Sequence, residues 1–212
     1  MVVTDSFDPA LLDPLMDTLG LTVSQSQVAQ LQTYAEFLGS EGIATGGIGP
    51  HEGSRLFDRH IADSLAFLAV IPPEATVVVD VGSGVGLPGI PVAIALPDTE
   101  VRLIDRSQRR TDLARRAVRI LGIGNVDAVN TDVGSVAGPF DSALFRASLG
   151  LGQAATVTQR LVASGGCGVF AVSRLAVPPT IPEAPVGLRY DLVNPVGEVL
   201  DSPAWLLRMT PI

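Results

Sequence analysis

Val79-Asp80-Val81-Gly82-Ser83-Gly84-Val85-Gly86-Leu87-Pro88-Gly89 is the stretch on which the reading of this chain turns. It closes an apolar, β-branched run from Thr76 to Val81, the pattern of a parallel strand buried on both faces. Gly82, Gly84 and Gly86 follow at once. Glycine there permits positive φ and lets a ligand approach the backbone. The spacing is Gly-x-Gly-x-Gly, not the Gly-x-Gly-x-x-Gly of dinucleotide sites.

Outward from this turn the chain alternates strand and helix. A second strand is expected over 100–104, ending against Asp105, where a carboxylate can take ribose hydroxyls. An arginine-rich helix is expected over 107–121, stopped by Gly122. Shorter strands are expected at 126–129, 142–145 and 168–172, then a pair at 188–193 and 204–209 that can form an antiparallel hairpin. Short connections between alternating elements predict a parallel sheet with helices on both faces. Asn130-Thr131-Asp132-Val133 follows the third strand; Asp132 there is either an acceptor for an adenine amine or part of an ordinary polar loop.

Upstream, the sequence reads as helical. Leu11, Leu12, Leu15 and Leu19 recur at helical spacing, as do Val28, Leu31, Tyr34, Ala35 and Leu38. Ser24 with Gln27 fits a capping box. Residues 39–53 carry six glycines and Pro50 and are expected to form a flexible loop. A third helix is expected from Arg55 through His60, Asp63 and Leu68 to Ile71, where Pro72-Pro73 stops it. The division expected is a helical extension over 1–72 and a sheet domain over 73–212.

Hydrophobic residues make up 47% of the 212-residue chain and charged residues 17%, enough apolar material for a closed core. The run from Leu65 to Val81 is broken by Pro72-Pro73-Glu74 and Asp80, too short for a membrane span. Thr4, Asp5 and Asp8 with no basic segment give no secretory signal, so a cytoplasmic protein that avoids membranes is expected. Cys167 is alone, so no internal disulfide can form, and it is expected to be a small buried apolar residue. No cysteine–histidine set has metal spacing, and no metal is expected.

The net charge of −8 argues globally against a nucleic-acid binder. Its distribution is more telling. All 14 basic residues are arginine, and seven of them fall in residues 101–119, against two in residues 1–100. Arg109, Arg115, Arg116 and Arg119 share one helix face, which is either a phosphate-binding surface or the solvated face of a crossover helix.

The motifs together resemble the bacterial small-subunit rRNA guanine-N7 methyltransferases, the glucose-inhibited division protein B family. The resemblance rests on Arg59-His60-Ile61-Ala62-Asp63-Ser64-Leu65, on Asp80 through Pro91, on Leu103-Ile104-Asp105, Arg109-Arg110, Leu121-Gly122 with Asn125-Val126, and on Arg146-Ala147. These landmarks run in family order from about residue 25 to 172. The fold implied is α/β: a Rossmann-like class I sheet, mostly parallel with an antiparallel edge strand, dependent on S-adenosyl-L-methionine. The activity implied is methyl transfer to guanine N7 of small-subunit rRNA, with the rRNA or the ribosomal particle as partner and a monomer as the working form. Candidate cofactor contacts are Asp80, Gly82, Ser83, Gly84, Gly86, Leu87, Asp105, Arg106, Asp132, Val133, Gly134 and Arg146. Candidate substrate contacts are His60, Asp63, Arg109, Arg110, Arg115 and Arg119. No catalytic base is assigned.

The chain also departs from the family. Glu41-Gly42 and Gly46-Gly47-Ile48 stand where the family has Trp-Asn and Asn-Leu-Thr. Asp132-Val133-Gly134 replaces an Arg-x-Glu, and Ser173-Arg174 replaces a Lys-Gly. The departures cluster on the substrate side. They leave open a small molecule or a different RNA as acceptor, or a non-catalytic cofactor-binding relative.

Overall fold

The computed structural model describes residues 12–196, 199–200 and 202–212. The readings made on Thr4, Asp5, Asp8 and Leu11 lie outside the described residues. Seven strands form one sheet in the order β3-β2-β1-β4-β5-β7-β6. They are β1 Val77–Val81, β2 Glu100–Asp105, β3 Val126–Asn130, β4 Phe140–Phe145, β5 Val162–Ser173, β6 Leu188–Val193 and β7 Trp205–Pro211. The first five run parallel. β7 is antiparallel to β5, and β6 pairs antiparallel with β7, so the expected hairpin supplies the edge.

β1 shows why this segment is a central strand. Val78 belongs to one core and Val79 and Val81 to the other, as alternation across a pleat requires. On the first face lie α1 Leu12–Thr18, α2 Gln25–Phe37, α4 Gly89–Ala95 and α5 Gln108–Leu121. On the second lies α6 Leu151–Leu161, whose Ala154, Ala155 and Leu161 pack with Phe145 and Leu207. Residues 12–71 share the first core with the sheet rather than forming one of their own.

Local signals explain most boundaries. Ser24 and Gln27 make the expected capping box at the start of α2. Ser107 accepts from the Arg110 N–H, and Gly122 ends α5 in the left-handed conformation at φ 62. Three expectations need correction. α2 does not give way to a flexible loop at Gly39; the chain continues as a π turn, Leu38–Gly42, and stays helical through Ala44. The helix expected over 55–71 is a series of differently wound turns: 3₁₀ at Gly53–Arg55, π at Phe57–Ala62, α at Asp63–Leu65 (α3) and 3₁₀ at Ala66–Ala69. The carbonyls of Arg59 and His60 accept from Arg146 instead of serving only the helix ladder, which favours irregular winding here. β5 starts six residues before the expected Gly168. Gly165 at φ 87 carries it through an irregularity in its register with β4.

Among the described residues no helix is long and apolar enough to cross a membrane.

A glycine turn and two adjoining clefts

The order of strands reverses between β1 and β4, and ligands of open α/β sheets bind at such a switch point. β1 delivers the glycine turn there. Gly82 takes φ 71 and donates its N–H to the Ile104 carbonyl at 2.8 Å. A Cβ on Gly82 would stand 2.5 Å from Ser148 Cβ, so the turn and the segment after β4 touch only because this residue is glycine. Gly84, at φ 58, donates to Asp105 Oδ2 at 3.0 Å, and a Cβ there would meet nothing within 4 Å. Gly86 donates to the Ser83 carbonyl at 2.8 Å.

Two side chains brace this turn from behind. Asp80 is buried, and its Oδ2 accepts the Gly89 N–H at 2.8 Å, fixing the start of α4. Burial, only partly offset by that hydrogen bond and by Arg146, pushes its carboxyl up to about 7. Tyr34 reaches across from α2 and donates its hydroxyl to the Val85 carbonyl at 3.0 Å.

The first cleft, about 370 Å³, opens in front of the turn. Gly82, Asp105, Arg106, Arg110, Asp132 and Val133 line it, so the segments that follow β1, β2 and β3 meet here. Asp105 holds its own geometry: Oδ1 accepts from the Ser107 N–H at 2.7 Å while Oδ2 takes Gly84. Each oxygen keeps acceptor capacity toward the cleft. Asp132 Oδ1 accepts the Gly134 N–H at 2.8 Å, shaping the loop after β3. Arg160 of α6 donates to the carbonyls of Val133 and Val136 at 2.6 and 2.5 Å and pins that loop. Ser83, Gly84, Gly86, Leu87 and Gly134 build the turn and the loop without lining the cleft, and Asp80 sits behind it.

Thr131, Ala147, Ser148, Leu149 and Gln153 complete the cleft. Of these, Ala147 to Gln153 went unrecognised as site residues. Gln153 sits in the first turn of α6, a helix that the sequence reading did not name. Ser148 Oγ is buried and without a hydrogen-bond partner among the described residues.

The second cleft, about 590 Å³, contains His60 and Asp63 as the sequence reading pairs them, together with Arg146. Arg146 therefore stands apart from the other candidate cofactor contacts. Its guanidinium donates to the Arg59 carbonyl at 2.6 Å, to Ser64 Oγ at 3.1 Å and to the His60 carbonyl at 3.4 Å. It also lies 3.3 Å from His60 Nδ1. Burial first, then Arg146, lowers the His60 pKa to about 4. His60 Nε2 lies 3.4 Å from Glu52 Oε2. Asp63 pairs with Arg174, which also donates to Ser202 Oγ at 2.9 Å. Glu52, Arg59, Arg174 and Trp205 also line this cleft; Arg59 and Arg174 enter the sequence reading only as family landmark and departure, and Glu52 and Trp205 not at all. Ala147 lines both clefts, held at φ 52, a conformation rare for a residue with a side chain.

The arginine face of α5 is divided. Arg116 pairs with Glu41 at 2.8 Å, and Arg115 donates to the Ala128 carbonyl at 2.9 Å and to Asp112 at 3.2 Å. Arg106, Arg109, Arg110 and Arg119 remain exposed.

The strand order, the glycine turn at the switch point and the acidic residue ending β2 define a class I S-adenosylmethionine-dependent methyltransferase fold. A methyltransferase from Geobacter sulfurreducens shares the fold at a TM-score of 0.56, with 18% identity and 96% of each chain covered. A SAM-dependent methyltransferase from Aquifex aeolicus does so at 0.54, with 14% identity, over 80% of this chain and 97% of that one. The model of the family rRNA small subunit methyltransferase G matches residues 27–172, and the chain belongs to that family. Ribosomal RNA small subunit methyltransferase G of Acidothermus cellulolyticus is 46% identical over 104 residues, 49% of this chain and 46% of the relative. The enzyme of that name from Mycobacterium sp. (strain KMS) is 40% identical over 139 residues, 64% of this chain and 61% of the relative. The chain thus spans about half the length of the curated relatives it matches.

Proposed function

We propose that the chain transfers a methyl group from S-adenosylmethionine to N7 of a guanine in small-subunit rRNA. The observation that carries this reading is the pair of clefts meeting at Ala147: one built for a nucleoside-containing cofactor, the other open beside it for an acceptor.

The first cleft fits the cofactor. Its volume lies in the range of small-molecule sites. The orphaned Ser148 hydroxyl in its wall is what a close-lying polar ligand would use. Asp105 would accept from ribose hydroxyls, Val133 would pack on the adenine, and Asp132 would lie at its amine edge. When bound, the cofactor supplies a methyl carbon activated by its sulfonium charge.

The protein's own task is positioning. Guanine N7 offers a lone pair and carries no proton, so the chain needs no general base. Holding the acceptor in line and excluding water are sufficient. His60 suits this role, since its low pKa keeps it neutral at working pH. Arg146 is spent on the Arg59–Ser64 turn and shapes the cleft. The exposed Arg106, Arg109, Arg110 and Arg119 provide a phosphate-contacting edge beside the cofactor cleft. This reading includes the cytoplasm as the place of action and a monomer as the working form.

The test is in two steps. Calorimetric titration with S-adenosylhomocysteine should give micromolar affinity. Small ribosomal subunits from a strain lacking the modification should then gain one N7-methylguanine. Binding without transfer to any rRNA would overturn the proposed acceptor.

A further inference from the structure

We propose that Trp205 and Glu52 are the recognition site for the acceptor base: the ring stacks on the Trp205 indole, and the Glu52 carboxylate accepts from the N1–H and the 2-amino group of guanine. The proposal deepens the reading just given and rests on it.

Both residues line the second cleft and neither lines the first. Trp205 is half-buried, and its Nε1–H donates to the Leu175 carbonyl at 2.9 Å, which fixes the indole plane. Aromatic faces of this kind hold bases that have left the helical stack.

Glu52 stands beside a chain of defined polarity. A guanidinium has only donors, so Arg146 makes His60 Nδ1 an acceptor. The single proton of the neutral imidazole then lies on Nε2, 3.4 Å from Glu52 Oε2 but outside hydrogen-bond geometry. Both carboxylate oxygens of Glu52 therefore keep their acceptor capacity. The side chain is about one-third exposed, so the carboxylate remains open to the cleft. It offers acceptors only. Guanine presents two adjacent donors on its Watson–Crick edge, whereas adenine presents an acceptor at N1 that would face the carboxylate. A site built to accept two hydrogen bonds rejects a base that cannot donate them. The geometry of the purine agrees with the chemistry. N7 lies on the side of the ring away from N1 and the 2-amino group, so a base read by Glu52 leaves N7 free of it.

Trp205 is the only tryptophan, so its fluorescence reports the site directly. The full chain, saturated with S-adenosylhomocysteine, is titrated with GMP, IMP and AMP. GMP should quench and bind about tenfold more tightly than AMP, with IMP, which lacks the 2-amino group, in between. Glu52→Gln should bring GMP to within about threefold of AMP, while its calorimetric affinity for S-adenosylhomocysteine stays at the wild-type value. Equal affinity of the wild type for GMP and IMP would overturn the two-donor readout without any variant. A guanine preference that survives in Glu52→Gln would overturn the role of Glu52. If the nucleotide preference holds but no rRNA is methylated, the rRNA reading fails and the base site stands.

Discussion

The Tyr34 hydroxyl donates to the Val85 carbonyl at 3.0 Å, and this buried hydrogen bond ties helix α2 to the middle of the glycine turn. It joins the N-terminal helices to the turn beside the first cleft. Burial, with Asp80 nearby, raises the Tyr34 pKa well above its ordinary value, so the phenol stays a donor across the working range. Tyr34→Phe would leave the Val85 carbonyl unpartnered. We expect a loss of about 1–3 kcal/mol in urea unfolding, accompanied by weaker S-adenosylhomocysteine binding.

Gly84 combines positive φ with open space where its side chain would be. A valine there is strained by its backbone and projects two methyl groups into that space. Gly84→Val should abolish S-adenosylhomocysteine binding in calorimetry while the far-ultraviolet circular dichroism remains that of the wild type. Unchanged affinity would refute the placement of the cofactor.

Asp80 and His60 impose opposite pH slopes on stability. Asp80 has a folded pKa of about 7, well above the ordinary 3.8 of an aspartate. The stability its protonated form contributes is complete below about pH 4 and is lost as pH rises through 7, an effect of a few kcal/mol. Asp80→Asn should remove this decline, since the amide oxygen can still accept from Gly89. Denaturant midpoints at intervals from pH 4 to 8 should flatten or reverse their trend; a trend identical to wild type would show that Asp80 is ionised in the fold.

His60 acts in the other direction. Its folded pKa of about 4 lies below the ordinary 6.5 of a histidine. The unfolded chain binds the proton first, so stability falls as pH drops from about 6.5 to 4. His60→Gln should lose that acid sensitivity, read in the same midpoint series.

The α5 surface separates free from committed arginines. Reversing Arg109 and Arg119 to glutamate should weaken RNA binding several-fold and reduce the magnitude of the log–log salt slope by roughly 0.7–0.9 for each phosphate contact removed. Arg115→Glu should instead cost stability, because Arg115 is bonded to Ala128 and Asp112. Identical salt slopes in wild type and double variant would assign the face to solvation alone.

The parts legible in the sequence each carry their own local signal. β1 is a β-branched run, Ser107 and Gly122 cap α5, and Asp105 ends β2 beside the glycine turn. These elements account for Gly82, Asp105, Arg106, Asp132 and Val133 in the wall of the first cleft, but not for Ala147, Ser148, Leu149 and Gln153. α6 was missed because Gly150, Gly152, Thr156 and Val157 dilute its helical pattern; it is held by the packing of Ala154, Ala155 and Leu161 under the sheet. The second cleft was legible only at His60 and Asp63. Glu52, Arg146, Arg174 and Trp205 are far apart in the chain, and the order of the strands brings them together.

Ala147 belongs to the walls of both clefts, and so filling one is not independent of filling the other. An L-residue at φ 52 has a lower-energy state close by. The first occupant therefore sets the backbone that the second one meets. Cooperativity of this kind is reciprocal: the factor by which cofactor alters acceptor affinity equals the factor by which acceptor alters cofactor affinity. A single alanine shared by both walls is thus the place where the two affinities would be linked.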